Sequence, residues 1–238
     1  MKKAWKYAIG LVCLGILIIF IQQQFSSNEM TGWNLPLSGK VIVVDPGHGG
    51  IDGGASSRVG QLEKDVTLQI SLILRDYLQE AGALVIMTRE TDRDLASDGT
   101  KKIRSRKVED LRKRVDIINE SDADSYVSIH LNAIPSARWR GAQSFYNRAI
   151  EGNEELAKQI QSEIRRNLEN TTREAKPINS VYLVKEARIP GALVEVGFLS
   201  NPNEAELLST KDYQNKVAAS IYEGFLRYYN EDPLPAEG

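Results

Sequence analysis

Val41-Ile42-Val43-Val44-Asp45-Pro46-Gly47-His48-Gly49-Gly50 decides how the rest of the chain is read. Consecutive Val and Ile predict a strand covered on both faces, as in a parallel sheet. Pro46 then removes a ladder donor, and three glycines open backbone angles that other residues avoid. His48 therefore sits just past the end of a buried strand, where open α/β sheets place their ligands. The only other histidine, His130, also ends an apolar run, Tyr126-Val127-Ser128-Ile129. Two histidines at two strand ends predict a shared site.

Outward from that stretch, Leu62-Glu63-Lys64-Asp65 opens a helix to about Ala81, with Val66, Ile70, Ile73, Tyr77 and Ala81 on one face. Gly82 ends it, and Ala83–Thr88 forms a second strand. Strand, helix and strand with short joints make a βαβ unit, so the sheet is at least partly parallel. Arg89–Arg104 is a polar loop, followed by a helix to Ser121 whose apolar face is Val108, Leu111, Val115 and Ile118. The third strand ends at His130, and the loop Leu131–Arg140 carries Asn132 and Trp139. Further strands are expected at Gly141–Tyr146, Val181–Val184 and Ala192–Phe198, with a helix over Asn153–Asn170. Asn201-Pro202-Asn203-Glu204 reads as a cap, a first-position proline and a third-position glutamate opening a helix. Val217, Ile221, Phe225 and Tyr228 mark the last helix. The fold class is α/β: a single domain whose mixed, mostly parallel twisted sheet is flanked by helices, behind an N-terminal hydrophobic segment.

Residues 1–24 are that segment. Lys2, Lys3 and Lys6 precede an uncharged apolar run over 7–21, which as a helix covers roughly 22 Å of a ~30 Å hydrocarbon core. No A-x-A-like site follows, so an uncleaved membrane anchor is read in preference to a cleaved signal peptide. The lysines put the N-terminus inside and the domain outside. Residues 25–38 read as a linker, 39–230 as the catalytic domain and 231–238 as a tail.

The 30 basic and 32 acidic residues leave a net charge of −2. Residues 1–35 hold three lysines and one acid, so the remainder is more acidic still. Such a chain has no basic field for nucleic acid. Cys13 is the one cysteine and lies in the apolar run, which excludes an internal disulfide, a CxxC zinc site and a cysteine nucleophile in the domain.

A catalytic zinc needs three protein ligands and an open position. His48 and His130 offer two, and Glu63, opening the helix after the glycine turn, is the best carboxylate. The plainer readings are ordinary histidines and a glutamate facing a helix dipole. Glu195, flanked by Val194 and Val196 in an apolar strand, is a carboxylate withdrawn from water. It reads equally as a general base or acid and as half of a buried ion pair with Arg89 or Arg114.

Four blocks in order, Val-Val-Asp-Pro-Gly-His-Gly-Gly, Leu-Glu-Lys-Asp-Val, Ser-Ile-His-Leu-Asn-Ala and Val-Glu-Val-Gly-Phe-Leu-Ser-Asn, resemble the zinc-dependent N-acetylmuramoyl-L-alanine amidases of bacterial cell walls over about residues 39–230. Leu35–Lys40 and the Trp139 loop resemble the germination-specific branch found in endospore formers. The resemblance implies a Zn2+ held by His48, Glu63 and His130, with Glu195 as the catalytic carboxylate. Asn132 and Trp139 are expected to contact substrate. Arg89 and Arg114 also sit at family-like positions, with no catalytic role assigned. The implied substrate is peptidoglycan, cut between the lactyl group of muramic acid and L-alanine, as a step towards the muramic lactam of spore cortex. It further implies an extracytoplasmic location, the forespore–mother cell intermembrane space or the wall. The chain lacks the binding repeats of many relatives, so a protein partner for activation or wall targeting is expected, beside the membrane contact of the N-terminal segment. Two other classes stay open: a different zinc-dependent wall hydrolase, such as a peptidase or deacetylase, and a non-catalytic wall-binding protein.

Overall fold

A computed structural model describes residue 15 and residues 35–234. The strands are β1 (Val41–Pro46), β2 (Leu84–Met87), β3 (Ser125–Asn132), β4 (Gln143–Tyr146), β5 (Lys176–Pro177) and β6 (Gly191–Phe198). The helices are α1 (Glu63–Glu80), α2 (Ile103–Glu120), α3 (Asn153–Leu168), α4 (Tyr182–Glu186), α5 (Pro202–Leu208) and α6 (Lys211–Tyr229). They form one six-stranded sheet in the order β2-β1-β3-β6-β4-β5. The first four are mutually parallel, β4 runs antiparallel to β6, and β5 is parallel to β4. This is the mixed, mostly parallel sheet expected.

Alternation along β1 shows why both faces must be covered. Ile42 and Val44 join a core with Ile70, Leu74 and Leu78 of α1, Ile160 of α3 and Ile221 and Phe225 of α6. Val43 points the other way, onto Tyr126, Val115 and Ile118 of α2 and Leu183 of α4. Each such side chain contributes roughly 1.5–3 kcal/mol by leaving water. The packed domain begins before residue 39: Leu37 is fully buried, and its N–H donates to Ala81 O at 2.9 Å.

Three details differ from the sequence reading. Val181–Val184 does not form a strand. Tyr182–Glu186 is a single helical turn that buries Leu183 and Val184. On α2, Val108 and Leu111 are exposed, while Asp110 and Arg114 are buried with Val115 and Ile118. The inward stripe there pairs the charges of Asp110 and Arg114 with the apolar Val115 and Ile118. At α5, Asn201 caps as expected, accepting from the N–H of Asn203 and Glu204. Glu204 does not reach back to the cap, because its two oxygens accept from Gly141 N and Phe198 N instead. Among the described residues no helix is long and apolar enough to cross a membrane; the expected anchor over 1–24 lies outside them, save for residue 15.

Candidate metal centre

The sheet's order brings the C-terminal ends of β1, β3 and β6 side by side, and with them the predicted residues. His48 follows β1 with a left-handed φ of 61°. Glu63 is the first residue of α1, and His130 lies near the end of β3. One ligand atom from each of these three lies within 4.8 Å of the others. Glu63 Oε1 is 3.1 Å from His48 Nε2 and 3.0 Å from His130 Nδ1. The two rings meet edge to face at 5.0 Å.

Several local contacts hold the donors there. Glu63 Oε2 accepts from Ala55 N at 2.7 Å and Oε1 from Leu131 N at 2.9 Å, which aims the carboxylate before any ion arrives. Gly54 and Gly47 let the backbone pass close by. A Cβ on Gly54 would come 2.5 Å from Glu63 Oε2, and one on Gly47 would come 2.4 Å from the His130 ring. Two imidazole nitrogens and one carboxylate, converging on one point with their outer edges braced, fit a zinc ion with an open fourth position.

Asp52, not identified from the sequence, braces His48. Its Oδ2 lies 3.0 Å from His48 Nδ1, and its Oδ1 accepts from Lys107 Nζ at 2.8 Å. With Nδ1 engaged, Nε2 is the ring nitrogen that faces Glu63. Burial opposes a charge on His48, but hydrogen bonds to Asp52 and Glu63 outweigh it and push the imidazole up to about 9. Burial likewise opposes the charge on Glu63, yet the two histidines hold its carboxyl well below the usual range.

Glu195 lies on β6 with His130 as its register partner on one side and Gln143 on the other. Its Oε2 is buried with no hydrogen-bond partner. Burial, aided by the charge of Glu63 and opposed by the histidines, pushes the carboxyl up to about 7. The ion-pair reading with Arg89 or Arg114 is overturned, because both guanidinium groups are spent on the turn after β1. Arg89 donates to the carbonyls of Pro46, Gly47 and Lys64. Arg114 donates to Asp45 Oδ1 and to the carbonyls of Pro46 and His48, with Nε on Asp110. Thr88 and Ser128 complete the shell around the buried Asp45 carboxylate. This network fixes the turn that carries His48.

Asn132 ends β3 opposite Phe198, and its carbonyl accepts from Leu199 N. Trp139 is 53% exposed, with the Arg173 guanidinium 5.8 Å from its ring centroid. The loop between Asn132 and Trp139 is fastened to the β6–α5 turn: Ser200 Oγ accepts from Ile134 N, and Asn201 Nδ2 donates to Ala137 O.

The chain is similar to known proteins. Residues 42–227 match the family described as N-acetylmuramoyl-L-alanine amidase. The germination-specific N-acetylmuramoyl-L-alanine amidase of Bacillus subtilis (strain 168) is 58% identical over 240 residues, spanning 100% of both chains. N-acetylmuramoyl-L-alanine amidase LytC of the same strain is 32% identical over 82% of this chain and 36% of its own length. The structure of the CwlD amidase from Clostridioides difficile in complex with the GerS lipoprotein matches at a TM-score of 0.79 and 43% identity, over 81% of this chain and 100% of that one. By its full-length relative, its family match and its fold, the chain belongs to the N-acetylmuramoyl-L-alanine amidase family.

Proposed function

We propose that the chain hydrolyses the amide between the lactyl group of muramic acid and L-alanine in peptidoglycan, with His48, Glu63 and His130 holding Zn2+ and Glu195 transferring the proton. The observation that carries this reading is the buried, unpartnered Glu195 oxygen beside a converging His–Glu–His donor set. Most buried polar groups have a hydrogen-bond partner, and this unpartnered oxygen lies next to the three converging donors. Zinc, when bound, supplies Lewis acidity that brings a coordinated water towards a pKa of ~7 and polarises the scissile carbonyl. Glu195 takes a proton from the attacking water as the oxygen bonds to the carbonyl carbon. The carbon–nitrogen bond then breaks, and Glu195 returns the proton to the departing L-alanine amine. A carboxyl pushed up to about 7 by burial suits both steps near neutral pH.

The biological setting follows the full-length relative, whose name specifies germination. The substrate is the peptidoglycan of the spore cortex, and removal of the peptide prepares muramic acid for lactam formation. The domain acts outside the cytoplasm, with residues 1–24 as a membrane anchor. A protein partner is in keeping with the CwlD amidase, which was solved in a complex. The test is Glu195→Gln. The variant should fold and bind zinc as the parent does, with kcat lower by about 10²–10⁴-fold. A stable, zinc-loaded variant with parental turnover would remove Glu195 from the mechanism.

A further inference from the structure

Arg173, half-buried in the loop between α3 and β5, is held from several sides. Its Nη1 donates to the carbonyls of Arg140 and Gly141. Its guanidinium lies 5.8 Å from the centroid of Trp139 and 5.1 Å from that of Phe198. Its backbone is tied on both sides, the N–H to Thr171 Oγ1 and the carbonyl to Gln161 Nε2. Among the described residues Arg173 forms no salt bridge. The buried acid beside its loop, Glu204, already spends both oxygens on the N–H groups of Gly141 and Phe198.

The same loop reaches the catalytic strand. Phe198 closes β6 three residues after Glu195. Glu174, next to Arg173, accepts at its carbonyl from Gln143 Nε2 at 2.8 Å, and Gln143 is the register partner of Glu195. A guanidinium thus stands at the rim of the strand that carries the proton-transfer residue, flanked by an exposed indole, with no carboxylate in salt-bridge contact among the described residues and only the through-space charge of buried Glu204 nearby. An arginine already fixed by two carbonyls and two rings has little freedom left to lose when a ligand arrives, and its planar fork matches a carboxylate.

We propose that Arg173 binds a free carboxylate on the peptide arm of the substrate while the muramoyl amide lies against Glu195. This rests on the amidase reading, since it is the amide's amine side that carries a peptide with free carboxylates. It makes Arg173 a specificity-determining residue and gives Trp139 the task of holding its guanidinium flat.

The experiment uses two muramoyl peptides, one with its stem carboxylates free and one with all of them as amides. Each is digested by the zinc-loaded full chain and by its Arg173→Gln and Arg173→Lys variants. The parent should cleave the amidated peptide with a KM higher by roughly 10–100-fold and little change in kcat, the worth of a charge-assisted hydrogen-bonded pair. Arg173→Gln should treat both peptides alike, at the parent's weaker value. Arg173→Lys, which keeps charge without the fork, should retain part of the preference. If Arg173 only staples its loop, the variants lose melting temperature and lose both substrates equally, which overturns the proposal. Equal cleavage of the two peptides by the parent overturns it as well, with no variant needed, and leaves the amidase reading standing. Failure of the parent to cleave either peptide overturns both.

Discussion

Replacing Asp52 by Asn should weaken zinc binding, and by an amount that depends on pH in a definite direction. Asp52 Oδ2 lies 3.0 Å from His48 Nδ1 and is itself oriented by Lys107. It fixes which ring nitrogen faces Glu63 and raises the basicity of the imidazole. Loss of such an outer partner costs about 10–100-fold in metal affinity, or about 1.4–2.8 kcal/mol. The same carboxylate also favours the competing proton. In the metal-free parent His48 is pushed up to about 9, against burial, chiefly by Asp52 and then by Glu63. At pH 7 the parent must therefore shed a proton to take up metal, while Asp52→Asn, with a less basic ring, sheds it more easily. The two effects partly cancel at neutrality. At about pH 9.5 the proton no longer competes and the full 10–100-fold deficit should appear. The assay is zinc affinity against a competing chelator across this range, with melting temperature as a control on folding. Equal affinity of parent and variant at the alkaline end, or a deficit that shrinks as pH rises, would refute the reasoning.

The remaining predictions concern stability. In the metal-free protein, the raised His48 value means that its contribution is fully present below pH 6.5, the unperturbed value, and is lost as pH rises through about 9. The lowered Glu63 value means that its contribution is present above 4.5 and is lost in acid as pH falls towards its depressed folded value. Melting scans without metal should therefore fall off on the alkaline side, and bound zinc should reverse that alkaline slope; a flat alkaline limb without metal contradicts the assignment. Arg114→Met leaves the Asp45 carboxylate, 1% exposed, without its cation. It should cost about 3–5 kcal/mol in chemical denaturation, and a loss under about 1 kcal/mol would show that the network around the turn is dispensable.

The three converging residues were legible because each is marked by its chemistry and position. His48 and His130 are the only histidines, both follow apolar strands, and Glu63 opens a helix after a glycine turn. Glu195 was legible as a charge amid valines, but the lack of a partner for its buried oxygen was not. Arg89 and Arg114 seemed eligible until the fold showed them committed to carbonyls and acids near β1. The braces were hidden for a related reason. Asp52 is one acid in a glycine-rich loop with no period to mark it, and its contact with His48, four residues away, depends on the path of that loop's backbone. On α2 the pattern pointed to Val108 and Leu111, whereas Asp110 and Arg114 are buried, because a pair of opposite charges can occupy an interior stripe that hydropathy assigns to apolar residues. Val181–Val184 reads as a strand and is not one, since a four-residue apolar run fits one helical turn as well. Arg173 escaped because stacking between Trp139 and Phe198 joins three segments far apart in the chain.

The central claim is that one bond is cut, and product analysis tests it most directly. Purified muropeptides digested by the zinc-loaded full chain should yield peptides with a new free amine on L-alanine and muramic acid with a free lactyl carboxyl. N-acetyl groups and internal peptide bonds should stay intact, chelation should abolish the products, and Glu195→Gln should slow their release by about 10²–10⁴-fold. New amines on any other stem residue, loss of acetyl groups, or unchanged cleavage after exhaustive chelation would contradict the account.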